Sequence, residues 1–433
     1  MNSIWSEQVE LPQFPSLDGD IKTDVLIVGG GMAGILCAYL LDQNGVDYVL
    51  VEGKRIASGI TKNTTAKVTA QHGLIYQKLL RSAGAEKARM YLDANQRTVE
   101  RYAGLCQDID CDFERKTACV YSLDNRKKLE KEADALYRLG YHPVFSDTCE
   151  LPFPVAGCIG FENQAQFHPL KFLAGIARNL RIYEHTFVKE FAPGLAVTDR
   201  GGISYRKLIF ATHFPIDNKH GMYYLKLYQH RSYVLGLEHA PQYDAMYVSD
   251  KKTGMSFRNY KDMLLVGGGS HRTGKKGGNW QELEAFTDMY YPNAVETYRW
   301  ATQDCMSLDH VPYIGRYSKG LCDCYVATGF NKWGMTSSMV AAEILTDMVM
   351  GKENPCAAVY HPSRNMLKPQ LLLNGCEAVA SLLTISGRRC PHVGCALKWN
   401  PVEHTWDCPC HGSRFDADGK VLDNPANGDM RKK

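Results

Sequence analysis

No run of eighteen apolar residues occurs anywhere in this chain of 433 residues, which argues against a membrane-spanning helix. The first twenty residues lack the basic-then-apolar order of a secretory leader. Trp5, Glu7 and Glu10 interrupt them before Ile21, so no signal peptide is expected. Basic blocks are missing apart from the terminal Arg431-Lys432-Lys433, and the formal net charge is only +3. A nucleic-acid partner is therefore not expected. Internal repeats and low-complexity tracts are absent as well. Cysteine is not scarce, at fifteen residues, but eleven of them are scattered without a pairing pattern. Isolated free cysteines mostly behave as small buried hydrophobes, and the chain is expected in the cytoplasm. The remaining composition, 45% hydrophobic and 22% charged, is that of a globular protein. Its length exceeds one typical core, so two or three domains are expected.

Two short runs near the C-terminus carry the sharpest chemistry: Cys390-Pro391-His392-Val393-Gly394-Cys395 and Cys408-Pro409-Cys410-His411-Gly412-Ser413. Each offers one Cys and one His, spaced C-x-H and C-x-x-H, with fifteen residues between His392 and Cys408. A [2Fe–2S] centre of mixed ligation needs that division, with two thiolates on one iron and two imidazoles on the other. Neutral imidazoles raise the reduction potential of their iron, to roughly −150 to +300 mV. Four Cys and His ligands also suit a structural zinc. Zinc pairs, however, usually come as C-x₂₋₄-C followed by H-x₃₋₅-H, not as two mixed pairs.

The two runs resemble the boxes of the Rieske family in its high-potential form. The resemblance implies Cys390, His392, Cys408 and His411 as metal ligands, a Cys395–Cys410 disulfide bracing the loops, and Ser413 as a hydrogen-bond donor to the cluster. In the cytoplasm such a disulfide needs shielding to persist. One departure stands out. Between Pro369 and Arg389 there is room for only about two short strands, so the supporting sheet of this module looks shortened. Either the ligand loops lean on the rest of the protein, or the module is a remnant.

The N-terminal part carries a nucleotide site. Ile21 to Val28 is a short β-branched run that reads as a buried parallel strand. It enters Gly29-Gly30-Gly31-Met32-Ala33-Gly34, then an apolar helical stretch ended by Asn44-Gly45. A second strand, Asp47 to Val51, places Glu52 eighteen residues after Gly34. Gly29 permits the tight turn, Gly31 lets a pyrophosphate approach the backbone, and Gly34 lets helix and strand pack closely. Glu52 is placed to accept hydrogen bonds from adenosine ribose hydroxyls.

Later landmarks favour FAD over NAD: Thr61, Thr65 and Ala66 in a polar small-residue loop, Val188, Ala211, and a Gly-rich turn ending in Gly334-Met335-Thr336 before an apolar helix. In their order these resemble the D-amino-acid-oxidase-like FAD-dependent superfamily, and in particular its branch with an appended Rieske module. The resemblance spans about residues 20–352. It implies that Val188 meets the adenine through its backbone and that Gly334, Met335 and Thr336 set a helix N-terminus near the flavin pyrimidine. The expected fold is α/β: a Rossmann-type FAD-binding domain interleaved with an antiparallel-sheet substrate domain of glutathione-reductase/DAO type, plus a small all-β Rieske module. The expected organisation is an oxidoreductase unit over 20–355, with flavin-binding segments 21–76, 160–215 and 258–350 and cap segments 77–159 and 216–257. A linker over 356–375 and the Rieske module over 376–433 follow.

Substrate residues are harder to read. Arg231, Tyr233, Arg258, His271 and Arg272 flank or occupy probable covering strands, and Lys67 and His72 lie beside the flavin loop. Arg258 and His271 are taken as catalytic candidates. The expected function is FAD-dependent oxidation of a small amine or amino-acid-like substrate at a CH–NH bond. Electrons then pass through the Rieske cluster to an external acceptor, a carrier protein or quinone-linked chain. The motifs equally permit the reverse flow of a reductase, or a non-catalytic electron-transfer or redox-sensing partner.

Overall fold

The strand Ile21–Val28 lies between two parallel neighbours, Gly202–Phe210 and Tyr48–Val51. That is why its second half is apolar on both faces and wholly buried. In the computed structural model, which describes residues 3–430 except 8, 219 and 386, this strand is central to an eight-stranded sheet among the described residues. The main order is Tyr313–Ser318, Leu321–Thr328, Gly202–Phe210, Ile21–Val28, Tyr48–Val51 and Ile182–Tyr183. The terminal Arg431-Lys432-Lys433 lie outside the described residues. The helix Met32–Gln43 follows the glycine turn and is buried on nearly every side, packed against Gly334–Val349. A Cβ on Gly34 would stand 1.9 Å from the Gly29 carbonyl oxygen. Only glycine allows the helix so close to the strand.

A nine-stranded sheet among the described residues covers the cavity beside this domain. Its pairs are antiparallel except Ala245–Ser249 beside Glu114–Ser122, which are parallel. That pair joins the two cap segments. The helix Ala85–Leu105, in the first cap segment, buries one full face, including Tyr91, Asn95 and Tyr102. Arg126–Arg138 is capped by Asn125, whose side-chain oxygen accepts from Lys128 N at 3.1 Å.

Two expectations need correction. The segment 258–350 does not serve flavin binding as a whole. Ser256–Tyr260, Met263–Arg272 and Val295–Ser307 belong to the covering sheet, and the chain rejoins the parallel sheet only at Tyr313–Ser318. Met263–Arg272 is buried along almost its entire length, so its apolar run carries no period to separate a covering strand from a parallel one. The stretch from Pro369, expected to hold about two short strands, is instead the helix Pro369–Leu383. Proline at the first turn loses no hydrogen bond, and Leu371-Leu372-Leu373 and Ala378 favour a helix. The expected linker 356–375 thus contains Ala357–Tyr360 and the start of this helix.

The C-terminal module is small: Lys398–Asn400, Thr405–Asp407, Arg414–Phe415 and Val421–Asp423 form a four-stranded sheet among the described residues. Its loops lean on the covering sheet. Glu403 is paired with Arg414 of its own module at 2.8 Å and with Arg231 of the long strand Leu227–Glu238, whose Nε stands 3.0 Å from it. Tyr233 donates to the same carboxylate at 2.9 Å. Arg414 also reaches Asp407 and Asp423, each at 3.1 Å.

Burial acts to raise the Glu403 carboxyl, but Arg231 and Arg414 outweigh it and hold the group down at about 2, against an ordinary 4.5. A depressed carboxyl stabilises the fold above its unfolded value and loses that contribution as pH falls through the folded one. The wild type should therefore lose thermal stability between pH 4.5 and 2 more steeply than Glu403→Gln. At neutral pH that variant leaves two buried guanidinium groups short of a partner and should cost about 3 kcal/mol. Calorimetry across that pH range checks both.

Candidate functional site

A cavity of about 1170 Å³ lies between the parallel sheet and the covering sheet. Of the sequence-predicted flavin residues, Gly29, Gly31, Glu52, Thr61, Thr65, Val188, Ala211, Gly334 and Met335 line it. Gly34, Ala66 and Thr336 do not. Gly34 is the helix–strand contact. Ala66, at φ 53°, turns the loop. Thr336 places its Oγ1 2.9 Å from His72 Nε2.

The dinucleotide end is a cradle that side chains would fill. A Cβ on Gly29, at φ 114°, would meet the Ala211 carbonyl oxygen at 2.6 Å. Glu52 accepts Gly30 N at 2.7 Å and Lys54 N at 2.9 Å. Burial raises its carboxyl, which those backbone N–H groups oppose. Thr61 Oγ1 accepts Met32 N at 3.1 Å, so the loop over 60–66 is tied to the N-terminus of the helix that follows the glycine turn, an end suited to anions. The back of that loop is clamped by three large side chains. Trp5 donates to Thr64 O at 2.7 Å, Trp300 to Asn63 O at 3.1 Å, and Arg258 to Thr65 O and Ala66 O at 2.6 and 2.9 Å.

This overturns the catalytic reading of Arg258. It is fully buried and does not line the cavity. It positions the flavin loop from behind, with its guanidinium 5.4 Å over the Trp5 ring. Burial pulls it down to about 9. His271 also lies off the cavity. Its Nε2 is 3.1 Å from Tyr233 Oη and 3.1 Å from Asn279 Oδ1, and its Nδ1 is 2.9 Å from the Arg272 carbonyl. It buttresses the contact with the C-terminal module. An alternating strand places residues on opposite faces, and sequence alone did not show which face looked inward.

Of the other candidates, Arg231, Tyr233, Lys67 and His72 line the cavity, together with polar groups that carry no signal in the sequence. Lys332 Nζ donates to Ser270 Oγ at 3.0 Å. Ser270 and Ser232 hydroxyls are 3.0 Å apart, and Ser232 hydrogen-bonds Asp304. The four make a relay from a cation to an anion along the cavity wall. Burial lowers the Lys332 ammonium and raises the Asp304 carboxyl, each opposed by the other's charge. Lys67, also on the cavity, is lowered to about 7 by burial and by nearby Arg258. His72 is held by both ring nitrogens, Nδ1 at 2.6 Å from Tyr91 Oη and Nε2 at 2.8 Å from Thr69 O. Burial brings it to about 3, so it stays neutral. Lys332 and Asp304 carried no spacing signal; they sit in separate segments that only the tertiary fold brings together.

The second centre lies against the same sheet. Cys390 and Cys408 are adjacent and hydrogen-bonded through sulfur. Their environments repeat. Cys390 accepts the backbone N–H groups of His392 and Val393, and Cys408 those of Cys410 and His411. The rings of His392 and His411 stand 4.9 Å apart and nearly perpendicular, and Nδ1 of the buried His411 has no hydrogen-bond partner. Ser413 hydrogen-bonds Cys390, and its Oγ accepts Ala426 N at 3.0 Å. Cys395 and Cys410 form a disulfide. The sulfurs of Cys395, Cys408 and Cys410 lie within 4.8 Å of one another, but two of them are consumed in that bond. The donors left are two thiols and two imidazoles in mixed pairs, which fit a Rieske cluster.

The flavoprotein side grips these loops by their backbone. Gln229 donates to His411 O at 2.8 Å and Gln303 to Gly412 O at 2.9 Å. Arg272 donates to Pro409 O and Cys410 O, both at 3.0 Å. His392 Nε2 is 2.8 Å from Asn218 Oδ1.

Fold and sites together define a flavoprotein of two redox centres, whose cofactors are FAD and a Rieske [2Fe–2S] cluster. The family model for FAD dependent oxidoreductases (DAO) matches residues 24–348, and that for the Rieske [2Fe-2S] domain matches residues 379–432. The chain belongs to the DAO family of FAD-dependent oxidoreductases and carries a C-terminal Rieske domain. It is 34% identical to a Bacillus subtilis (strain 168) protein named as a Rieske 2Fe-2S iron-sulfur protein, YhfW, over 98% of this chain and 96% of that one. A 42-residue stretch is 52% identical to the cytochrome b6-f complex iron-sulfur subunit 2 of Trichormus variabilis, covering 10% of this chain and 24% of that one. Among solved structures, glycine oxidase from Geobacillus kaustophilus superposes with a TM-score of 0.67 at 17% identity, covering 80% of this chain and 99% of that one. L-proline dehydrogenase from P. horikoshii gives 0.67 at 16%, covering 81% and 98%. These two likenesses show the fold.

Glu52→Ala should weaken FAD binding by about 10- to 100-fold through loss of charge-assisted hydrogen bonds, as read by flavin release on dilution. His411→Ala should remove the cluster's visible absorbance and leave the flavin band in place.

Proposed function

We propose that the protein oxidises a small amine or amino-acid-like substrate at its CH–NH bond and passes the electrons through the Rieske cluster to an external acceptor. Bound FAD supplies hydride acceptance and the cluster supplies one-electron transfer. The observation that carries the reading is the pair Lys332 and Asp304 on one cavity wall. A zwitterion offers the complementary pair, with its carboxylate toward the ammonium of Lys332 and its nitrogen toward Asp304. The serine relay keeps the two charges apart without an ion pair between them, so each has hydrogen-bonding capacity left for a ligand. Asp304 is suited to take a proton from the substrate nitrogen, because burial raises its carboxyl. A neutral amine is the form that loses hydride.

The cavity mouth adds support. Lys78, Lys252 and His310 line it together, and burial, then the two lysines, lower His310 to about 4. A basic approach favours a carboxylate-bearing molecule. Polar groups converging on the cavity favour oxidation over a purely electron-transferring role. The flavoprotein unit over 20–355 and the cluster module over 376–433 act as one catalyst, with Gly29, Gly31, Glu52, Thr61, Thr65, Val188, Ala211, Gly334 and Met335 around FAD and Cys390, His392, Cys408 and His411 on the cluster. The acceptor is a carrier protein or a quinone-linked chain, and the compartment is the cytoplasm, in keeping with many unpaired cysteines.

Anaerobic mixing with a panel of amines and amino acids, with a one-electron dye as acceptor, tests this. At least one zwitterionic amine should bleach the flavin, and Lys332→Met or Asp304→Asn should lower its kcat/KM by about 100-fold, roughly 2.7 kcal/mol. A flavin bleached by dithionite but by no CH–NH donor would sink the reading.

A further inference from the structure

The helix Pro369–Leu383 is inside out. Its inward side is polar: Asn374 donates to Leu225 O at 3.2 Å and accepts from Arg272 at 3.0 Å. Glu377 pairs with Lys275 at 2.7 Å, and Ser381 hydroxyl donates to Ala396 O at 3.3 Å. Its outward side is apolar: Leu372, Cys376, Val379 and Leu383 recur at helical spacing, with Leu373 beside them, and all are exposed. Leu372 is 73% and Leu383 77% exposed, and Leu367 and Ile385 extend the stripe beyond both ends at 81% and 100%. A helix at the surface of a globular protein normally turns this face inward. Here the polar partners fix the opposite rotation, so the apolar stripe must meet something outside the chain.

We infer that this face seats the protein on the surface of an anionic lipid bilayer. The charges beside the stripe select that occupant. Lys368 stands at its N-terminal end, and Arg388 and Arg389, both exposed, follow its C-terminal end, Arg389 donating to the Leu382 and Thr384 carbonyls of the helix end and Arg388 lying 4.4 Å over the Trp406 ring. The one acidic residue between Met366 and Val393 is Glu377, which is turned inward onto Lys275. An apolar stripe flanked by cations and free of outward acid matches the acyl-headgroup boundary of an anionic membrane. A second copy of this chain fits worse. An antiparallel pairing would set Lys368 against Arg388 and Arg389, and a parallel one would set each cation against itself. Among the described residues no helix is long and apolar enough to cross a membrane, so the contact is peripheral. The helix runs within a few residues into Cys390, and its Ser381 is bonded to Ala396 just past the first ligand loop. Lipid contact therefore falls on the element that carries the cluster's first loop.

The test uses the full-length holoprotein and flotation with vesicles of phosphatidylcholine, with and without phosphatidylglycerol. The protein should float with the anionic vesicles, less with neutral ones, and progressively less as salt rises. The triple variant Leu372→Ser, Val379→Ser, Leu383→Ser should cut the bound fraction at least about tenfold with flavin and cluster spectra unchanged, since those side chains touch neither site. Lys368→Glu should lower binding to anionic vesicles selectively. No flotation with anionic vesicles overturns the inference, as does undiminished flotation of the triple variant. A dimer by light scattering that the triple variant dissociates, without vesicle binding, assigns the face to a second copy instead.

Discussion

Glu403 stands between two guanidinium groups from different parts of the chain, Arg231 on the covering sheet and Arg414 in the cluster module. All three side chains are close to fully buried, so their charges are tolerable only together. Removing Glu403 leaves Arg231 without its carboxylate, and Arg414 with only Asp407 and Asp423, in a poorly solvated place. That mutual need fixes where the module sits, because the carboxylate is satisfied in one docked position. Around it the backbone of the second ligand loop is held by Gln229, Gln303 and Arg272, side chains of the same covering sheet that walls the flavin cavity.

A module with four short strands has little core of its own. Its ligand loops would be poorly held if they stood alone. Here the flavoprotein supplies the missing support, and the result is a fixed relation between two redox sites instead of a tethered, mobile head. Asn424 reinforces this by donating to Thr212 O and Phe214 O, both at 2.7 Å, on the loop that follows a strand of the dinucleotide-binding sheet. The Phe214 and Tyr224 rings stand edge-on to His411, so the imidazole side of the cluster site is packed against aromatic groups of the flavoprotein.

The parts of this design that were legible in the sequence are those built from consecutive residues. The glycine turn with Glu52, and the two Cys/His boxes, are local constellations whose chemistry depends on spacing alone. What was not legible depends on which way a side chain points. Arg258 and His271 looked like substrate groups because they are polar residues in covering strands, yet one clamps the flavin loop from behind and the other braces the module contact. Lys332 and Asp304, which do face the cavity, lie in separate elements, and their juxtaposition follows from the pairing of strands distant in sequence. In the sequence Trp5 stands out only as an interruption of a leader. It is fully buried behind the flavin loop, a role set by a contact that no periodicity encodes. The helix Pro369–Leu383 was missed because a brief apolar run fits a strand or a helix equally well, and its outward apolar face contradicts the usual rule that would have oriented it.

The proposed function requires the two centres to exchange electrons within one molecule, held in register by the lock around Glu403. Anaerobic photoreduction of the flavin in the purified holoprotein, followed by freeze-quench EPR, tests it most directly. The low average-g signal of an imidazole-ligated cluster should then grow at a rate independent of protein concentration. A cluster signal whose rate scales with protein concentration, or a flavin that bleaches while the cluster stays oxidised, would contradict it.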